Sequence, residues 1–231
     1  MKRILLKLSG EALAGDKGFG FDEDTCIGVA NQVAKLVSDG IQIGIVIGGG
    51  NFWRGRTSDV MDRVRADQIG MLATVMNCVY VSDVFRRAGM ETIIYTPFSC
   101  GDVTRLFAED DVISSLEGGK VVFFAGGTGH PFFSTDTATV LRASEIKAEA
   151  IFLAKAVDGI YDSDPKLNPE AKKYDKISIS DVIDQRLGVM DLSASIMCME
   201  QKIPLYVFAL EEENSIISAA SGSFNGTVVV V

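Results

Sequence analysis

The sequence is short of the residues that most often move protons and bind metals. His130 is its only histidine, so a histidine metal cluster or a Ser/His/Asp triad would have to be built on one residue. The four cysteines, Cys26, Cys78, Cys100 and Cys198, contain no Cys-x-x-Cys pair. That spacing argues against zinc, and a chain of this size has little need of a disulfide scaffold, so free buried thiols in a reducing compartment are expected. Positive charge is also in deficit. With 22 Lys+Arg against 31 Asp+Glu, the formal net charge is −9, unlike a protein built to grip nucleic-acid backbones or anionic membranes. Long apolar runs are missing: the opening Met1-Lys2-Arg3-Ile4-Leu5-Leu6 is broken at Lys7. It is too short for a signal peptide, and no run approaches the roughly 18 apolar residues of a membrane span. A soluble, cytoplasmic protein is expected, with neither nucleic acid nor membrane as partner. Two familiar phosphate loops are absent as well. Nothing fits G-x-x-x-x-G-K-[ST], and Gly18-Phe19-Gly20, the nearest approach to G-x-G-x-x-G, follows no expected strand.

What is present is an alternation of short apolar runs and helical segments. Strands are expected at Ile4–Leu8, Ile41–Ile47, Thr92–Tyr95, Lys120–Phe124, Ala150–Leu153, Leu205–Ala209 and Val228–Val231. Helices are expected at Asp22–Ser38, capped by Asp22, from about Ser58 to Ala88, within Asp102–Leu116, and from Thr135 to Lys147. Three more are expected near Asp181–Gln185, Leu192–Lys202 and Ser215–Ala220. The stretch Val157–Lys176 is rich in turn signals (Asp158-Gly159, Asp164-Pro165, Asn168-Pro169) and suits a loop or hairpin. The pattern implies an α/β fold, a mostly parallel central sheet with helices on both faces. The length suits a single domain over residues 1–231.

Such sheets bind ligands at the carboxyl ends of their strands. Three glycine-bearing stretches fall there: Ser9-Gly10, Gly48-Gly49-Gly50 and Gly126-Gly127-Thr128-Gly129. Each could be a plain tight turn, or could let backbone N–H groups approach a phosphate in front of a helix N-terminus. Lys7 lies at the end of the first strand, just before Ser9-Gly10, where a buried ammonium needs an anion. Arg54, Arg56, Arg63 and Arg65 follow the second glycine stretch, and Arg54 stands nearest to it as a phosphate fork. Asp67 could accept from sugar hydroxyls or pair with Arg63. Asp136 could start a helix, hold Mg²⁺ or orient a lysine. With one histidine and no nucleophile–base pair, the chemistry suits an acceptor already ionised at neutral pH. Phosphoryl transfer to a phosphate or carboxylate needs positioning and charge neutralisation rather than a base.

Several motifs carry a family resemblance. Lys7-Leu8-Ser9-Gly10-Glu11-Ala12-Leu13, Gly48-Gly49-Gly50-Asn51 with Arg54-Gly55, and Gly70-Met71-Leu72-Ala73-Thr74-Val75-Met76-Asn77 come first. Gly127-Thr128-Gly129-His130-Pro131-Phe132-Phe133-Ser134-Thr135-Asp136, Val157-Asp158-Gly159 and Met190-Asp191-Leu192 follow. In this order, over essentially the whole chain, they resemble the bacterial-type uridylate kinases of the amino acid kinase superfamily. The resemblance implies a three-layer sandwich and transfer of a phosphoryl group from MgATP to UMP, giving UDP and ADP, in pyrimidine nucleotide (CTP) synthesis. It implies UMP binding in the N-terminal part and ATP binding from about residue 150.

The resemblance also implies residue roles. Lys7, Arg54 and Asp136 would be catalytic, with Asp191 in support. Lys7, Leu8, Ser9, Gly10, Gly50, Arg54, Lys155, Tyr161 and Asp164 would serve ATP. Gly49, Asp67, Thr128, Gly129, His130, Pro131, Phe132, Phe133, Ser134 and Thr135 would serve UMP, and Mg²⁺ would come in on the ATP phosphates. Members are usually hexamers, activated by GTP and inhibited by UTP, and Gly15-Asp16-Lys17-Gly18-Phe19-Gly20 resembles the segment tied to GTP. The chain departs from the family pattern at His130, where Asn is common, and at Ala154-Lys155-Ala156. Two other readings fit the residues less well: a carboxylate kinase, and a non-catalytic nucleotide or oxyanion binder.

Overall fold

The computed structural model describes residues 1–53, 61–165 and 167–231. In chain order it contains β1 (Arg3–Leu8), α1 (Gly10–Ala14), a 3₁₀ turn (Gly15–Lys17), α2 (Glu23–Ser38), β2 (Gln42–Ile47) and α3 (Arg63–Arg87). Next come β3 (Thr92–Thr96), β4 (Arg105–Leu106), α4 (Glu109–Glu117), β5 (Val121–Phe124), α5 (Thr135–Glu145) and β6 (Ala150–Lys155). The last part holds β7 (Ile160–Tyr161), β8 (Lys173–Tyr174), β9 (Lys176–Ser178), α6 (Ile179–Asp184), α7 (Leu192–Gln201), β10 (Leu205–Ala209), α8 (Ser215–Ser221) and β11 (Gly226–Val230).

Nine strands form one sheet in the order β4-β3-β5-β2-β1-β6-β10-β11-β9. All neighbours pair in parallel except β10 and β11. Alternate strand residues feed two apolar layers. Ile4, Leu6 and Leu8 pack with α2, α3 and α8 on one face, while Leu5, Val46 and Val122 pack with α4, α5 and α7 on the other. Being buried on both faces explains why β1, β2 and β5 read as near-continuous apolar runs. It also places Lys7, two residues after Leu5, on the α5 side.

The expected architecture is the observed one, with local corrections. The long helix begins at Arg63 because Asp62 is its cap, its side chain accepting from Arg65 N; the expected start at Ser58 lies outside the described residues. The short helix expected within 102–116 is α4, which starts only at Glu109 and runs one residue further, to Glu117, because Arg105–Leu106 pairs with β3 as an edge strand. The 157–176 stretch does hold a hairpin, β7 against β8. Two short elements carried too little pattern to be expected, α1 and β9. Among the described residues, α3 is long and apolar enough by composition to cross a membrane, but half of that stretch is buried within the fold.

Candidate active site

Adjacent parallel strands put their carboxyl ends on one sheet edge, and β5, β2 and β1 are adjacent. The three glycine stretches therefore stand side by side. Gly10 approaches so closely that a Cβ there would lie 2.4 Å from both Gly48 O and Asn51 Oδ1. Gly49 is also pressed against α3, where a Cβ would meet Gly70 O at 2.9 Å. Neither position admits a side chain without moving backbone, which is a packing reason for glycine independent of any ligand.

Lys7 meets its anion on the face its strand position dictates. Its Nζ lies 3.1 Å from Asp136 Oδ1, with side chains 12% and 21% exposed. Asp136 is not the cap of α5. Ser134 is, accepting from Asp136 N and Thr137 N at 3.0 and 3.2 Å. The Ser134 hydroxyl in turn donates to Asp191 Oδ2, and Thr137 Oγ1 donates to the same carboxylate at 3.2 Å. Asp191 caps α7 by accepting from Ala194 N at 2.9 Å. One carboxylate thus ties together the N-termini of two helices. Both helices present their positive ends, the arrangement that favours phosphate.

Two pockets flank this point. One, of about 370 Å³, is lined by Gly49, Gly50, Asp67, Thr128, His130, Phe133, Ser134 and Thr135, together with Glu11, Trp53, Met71 and Thr74. The other, of about 410 Å³, is lined by Lys155, Tyr161, Asp164 and the 185–189 segment. Because β1 lies between β2 and β6, Lys7, next to last in β1, stands on the strand between the first pocket's glycine turn and Lys155 of the second.

The first pocket is held in shape by Asp67. Its carboxylate accepts from Arg63 Nε at 2.9 and 3.0 Å and from Phe132 N at 2.8 Å. Phe132 sits at φ 72°, a left-handed conformation that costs a bulky residue roughly 1–2 kcal/mol; the bond to Asp67 helps hold it there. Of the two sequence alternatives for Asp67, the ion pair with Arg63 is formed, and Asp67 also lines the pocket. The Phe132 ring is not among the lining side chains. It lies 5.7 Å under the Arg63 guanidinium, while Phe133 lines the pocket. Thr128 Oγ1 closes a small turn on the backbone of His130, and Gly129 packs against Pro97. Half-exposed Pro131 completes the loop.

In the second pocket Lys155 donates to Val189 O. Burial pushes its pKa below the ordinary lysine value, with Asp136 acting upward and Lys7 downward. Those field effects mark Lys155 as a close neighbour of the Lys7–Asp136 pair. The Tyr161 hydroxyl donates to Asp158 at 2.7 Å, and that bond raises its pKa. Asp158 also takes Lys173 at 2.8 Å; burial pushes its pKa up, but these bonds outweigh burial and hold it low.

Leu8 is fully buried and offers only backbone, its carbonyl accepting from Gly48 N at 3.0 Å. Ser9 precedes α1 without a side-chain capping bond. The Gly15–Gly20 segment lies beside the second glycine turn: Gly20 N donates to Asn51 O at 3.3 Å, and Phe19 meets Phe52 edge-on at 5.2 Å. In the same segment Lys17 pairs with Asp22 at 3.2 Å. Arg54 lies outside the described residues.

Sequence reasoning missed Glu11, Trp53, Met71 and Thr74 as pocket walls. The lone tryptophan three residues after Gly50 was the clearest available signal for them. Among the described residues, no group of three or more His, Cys, Asp or Glu side chains is arranged to hold a metal ion.

Residues 2–209 match the amino acid kinase family. Among solved structures, the UMP kinase from Bacillus anthracis has a TM-score of 0.95 at 36% identity, covering 99% of this chain and 96% of that one. The UMP kinase from Ureaplasma parvum has a TM-score of 0.94 at 33% identity, covering 100% and 99%. The uridylate kinase from Archaeoglobus fulgidus is more distant, with a TM-score of 0.77 at 25% identity and full coverage of both chains. Fold and sequence likeness agree over nearly the whole chain, and the chain belongs to the amino acid kinase family.

Proposed function

We propose that this protein transfers the γ-phosphoryl group of MgATP to UMP, yielding ADP and UDP for pyrimidine nucleotide synthesis. The observation that carries the reading is the Lys7–Asp136 pair, set between two pockets at the end of a central strand. The pocket of Gly49, Asp67, Thr128 and His130–Thr135 takes UMP, and the pocket of Lys155, Tyr161 and Asp164 takes the adenine nucleoside. The first is built by the N-terminal part of the chain and the second by residues from about 150 onward.

An oxygen of the UMP phosphate attacks the γ-phosphorus, and the bond to the bridging β-oxygen breaks. The attacking group is already anionic, so no side chain need remove a proton. Lys7, the N–H groups of Ser9–Gly10 and Gly49–Gly50, and Arg54 gather the phosphate charge. Asp136 holds the Lys7 ammonium in place, and Asp191 holds Ser134 so that α5 stays capped. The donor set suits a Mg²⁺ carried in by the nucleotide, because Mg²⁺ is usually held by substrate phosphates with one or two carboxylates. Such an ion supplies further charge neutralisation on the β- and γ-phosphate oxygens.

Regulation by GTP through Gly15–Gly20 and inhibition by UTP belong to the same proposal, the former supported by that segment's contacts with Asn51 and Phe52. So does assembly into a homo-oligomer, a hexamer in the resembled family. Leu72, Met76 and Val79 give α3 an exposed apolar face suited to it.

A coupled assay of ADP release against a panel of nucleoside monophosphates, with and without GTP, tests the proposal. UMP is expected to be the preferred acceptor by a wide margin over CMP, with acetylglutamate inert. Equal rates with all acceptors, or none with UMP, would overturn it.

A further inference from the structure

Two side chains of the glycine-rich motifs have no part in the mechanism above, yet they are among the most completely buried polar groups in the molecule. Asn51 is 1% exposed and Asn77 is 0% exposed. Their amides face each other and exchange hydrogen bonds: Asn51 Nδ2 donates to Asn77 Oδ1 at 3.0 Å, and Asn77 Nδ2 donates to Asn51 Oδ1 at 2.8 Å. The second hydrogen of each amide goes to a backbone carbonyl. Asn77 donates to Gly48 O at 2.7 Å, and Asn51 donates to Gly20 O at 2.8 Å. All four N–H bonds are used, and both side-chain oxygens accept. The orientation is forced, because turning either amide over would set an oxygen against a carbonyl oxygen. Asn51 Oδ1 and Gly48 O are also the two atoms that a Cβ on Gly10 would strike at 2.4 Å. The pair therefore lies directly beneath the meeting of the β1 and β2 glycine turns.

We propose that the Asn51–Asn77 amide pair is the positioning element of the transfer site, fixing the Gly48–Gly50 turn against Gly10 and tying it to the Gly15–Gly20 segment through Gly20. Neither asparagine touches a nucleotide in this account. They act by setting where the N–H groups of the turn stand relative to Lys7. The inference rests on the proposed phosphoryl transfer for its kinetic readout, and on hydrogen exchange for a readout that needs no substrate.

The test uses the full chain with Asn77→Ala, Asn77→Ser, Asn51→Ala and the double Ala variant, each rate normalised to the folded fraction. A displaced turn spoils alignment rather than affinity. For Asn77→Ala, kcat should fall roughly 10- to 10²-fold while KM for each nucleotide stays within about threefold. Asn77→Ser, which retains one donor for Gly48 O, should recover part of the loss. The double variant should be little worse than Asn77→Ala alone, since the two amides work as a unit. Amide exchange should quicken in peptides spanning 44–53 and 15–22 and stay unchanged in 121–126.

Parental kcat in folded Asn77→Ala, losses that simply multiply in the double variant, or unchanged exchange at 44–53 would each overturn the proposal. Should Asn77→Ala fail to fold, Asn77→Ser and Asn51→Ala are read in its place, and parental kcat in either is refuting. If the parent itself does not phosphorylate UMP, the functional reading falls, and the exchange data alone decide the role of the pair.

Discussion

Replacing Lys7 by alanine separates the two things that the Lys7–Asp136 contact does. At 3.1 Å and an effective dielectric near 20, the gross Coulomb attraction is about 5 kcal/mol, most of it offset by the desolvation of both ions. Breaking a fully buried pair by removing one partner costs about 3–5 kcal/mol. This pair is partly exposed, and the carboxylate left behind still faces Lys155 and the start of α5. The loss of stability should therefore be about 1–2 kcal/mol, or a fall in Tm of roughly 2–8 °C for a chain of this size. Turnover should suffer far more. Removing one preorganised charge contact to the migrating phosphoryl group costs roughly 10²–10³-fold in kcat. KM for ATP should rise as well, because the uncompensated Asp136 now repels phosphate. A second variant, Lys7→Ala with Asp136→Ala, should regain much of the Tm and none of the turnover. Calorimetry and a coupled ADP assay on the same samples provide both readings. A folded Lys7→Ala protein with kcat within about threefold of the parent would refute the role assigned to Lys7.

Asp67→Ala removes the acceptor for Phe132 N as well as the partner of Arg63; initial-rate kinetics should show KM for UMP raised roughly 10- to 100-fold with KM for ATP unchanged. Lys155 has its pKa depressed in the folded state, so its charged form is disfavoured there and the unfolded chain binds its proton more readily. That penalty is complete below the folded-state pKa and fades as pH climbs from there toward the ordinary lysine value of 10.5. Lys155→Met should thus melt higher than the parent at neutral pH, with the gap closing in alkaline melts, and should bind ATP more weakly. Cys26 and Cys198 are pushed up by burial to about 11 and about 12, and Cys78 is pushed up further still. A thiol reagent at mildly alkaline pH should label half-exposed Cys100 in the native protein and the other three only on unfolding.

Most of this architecture was legible in the sequence, because a doubly covered parallel sheet writes its strands as apolar runs and its ligand edge as glycines. Lys7 stood out because an ammonium at the end of such a run demands a counter-charge, and Asp136 supplies it. What stayed hidden was short or non-local. The α1 helix has five residues and β9 has three, too few for a period to show. No spacing rule links Asp67 to Phe132, 65 residues apart, or Ser134 to Asp191, 57 apart. The family resemblance implied that both Phe132 and Phe133 would serve the pocket, but the Phe132 backbone is left-handed and its ring lies against Arg63. Glu11, Trp53, Met71 and Thr74 became pocket walls only once α1 and α3 were folded against the glycine turn.

The strand order has a further consequence. One pocket is walled by α3 and the turns after β2 and β5, the other by β6, β7 and the 185–189 segment, and the Lys7–Asp136 pair joins β1, the strand between β2 and β6, to α5. Under the proposed function, such a division would let the loop at 128–133 be rewritten for a different recipient molecule while the grip on the triphosphate is left alone. The scaffold is in this sense modular, a fixed engine with an exchangeable mouth.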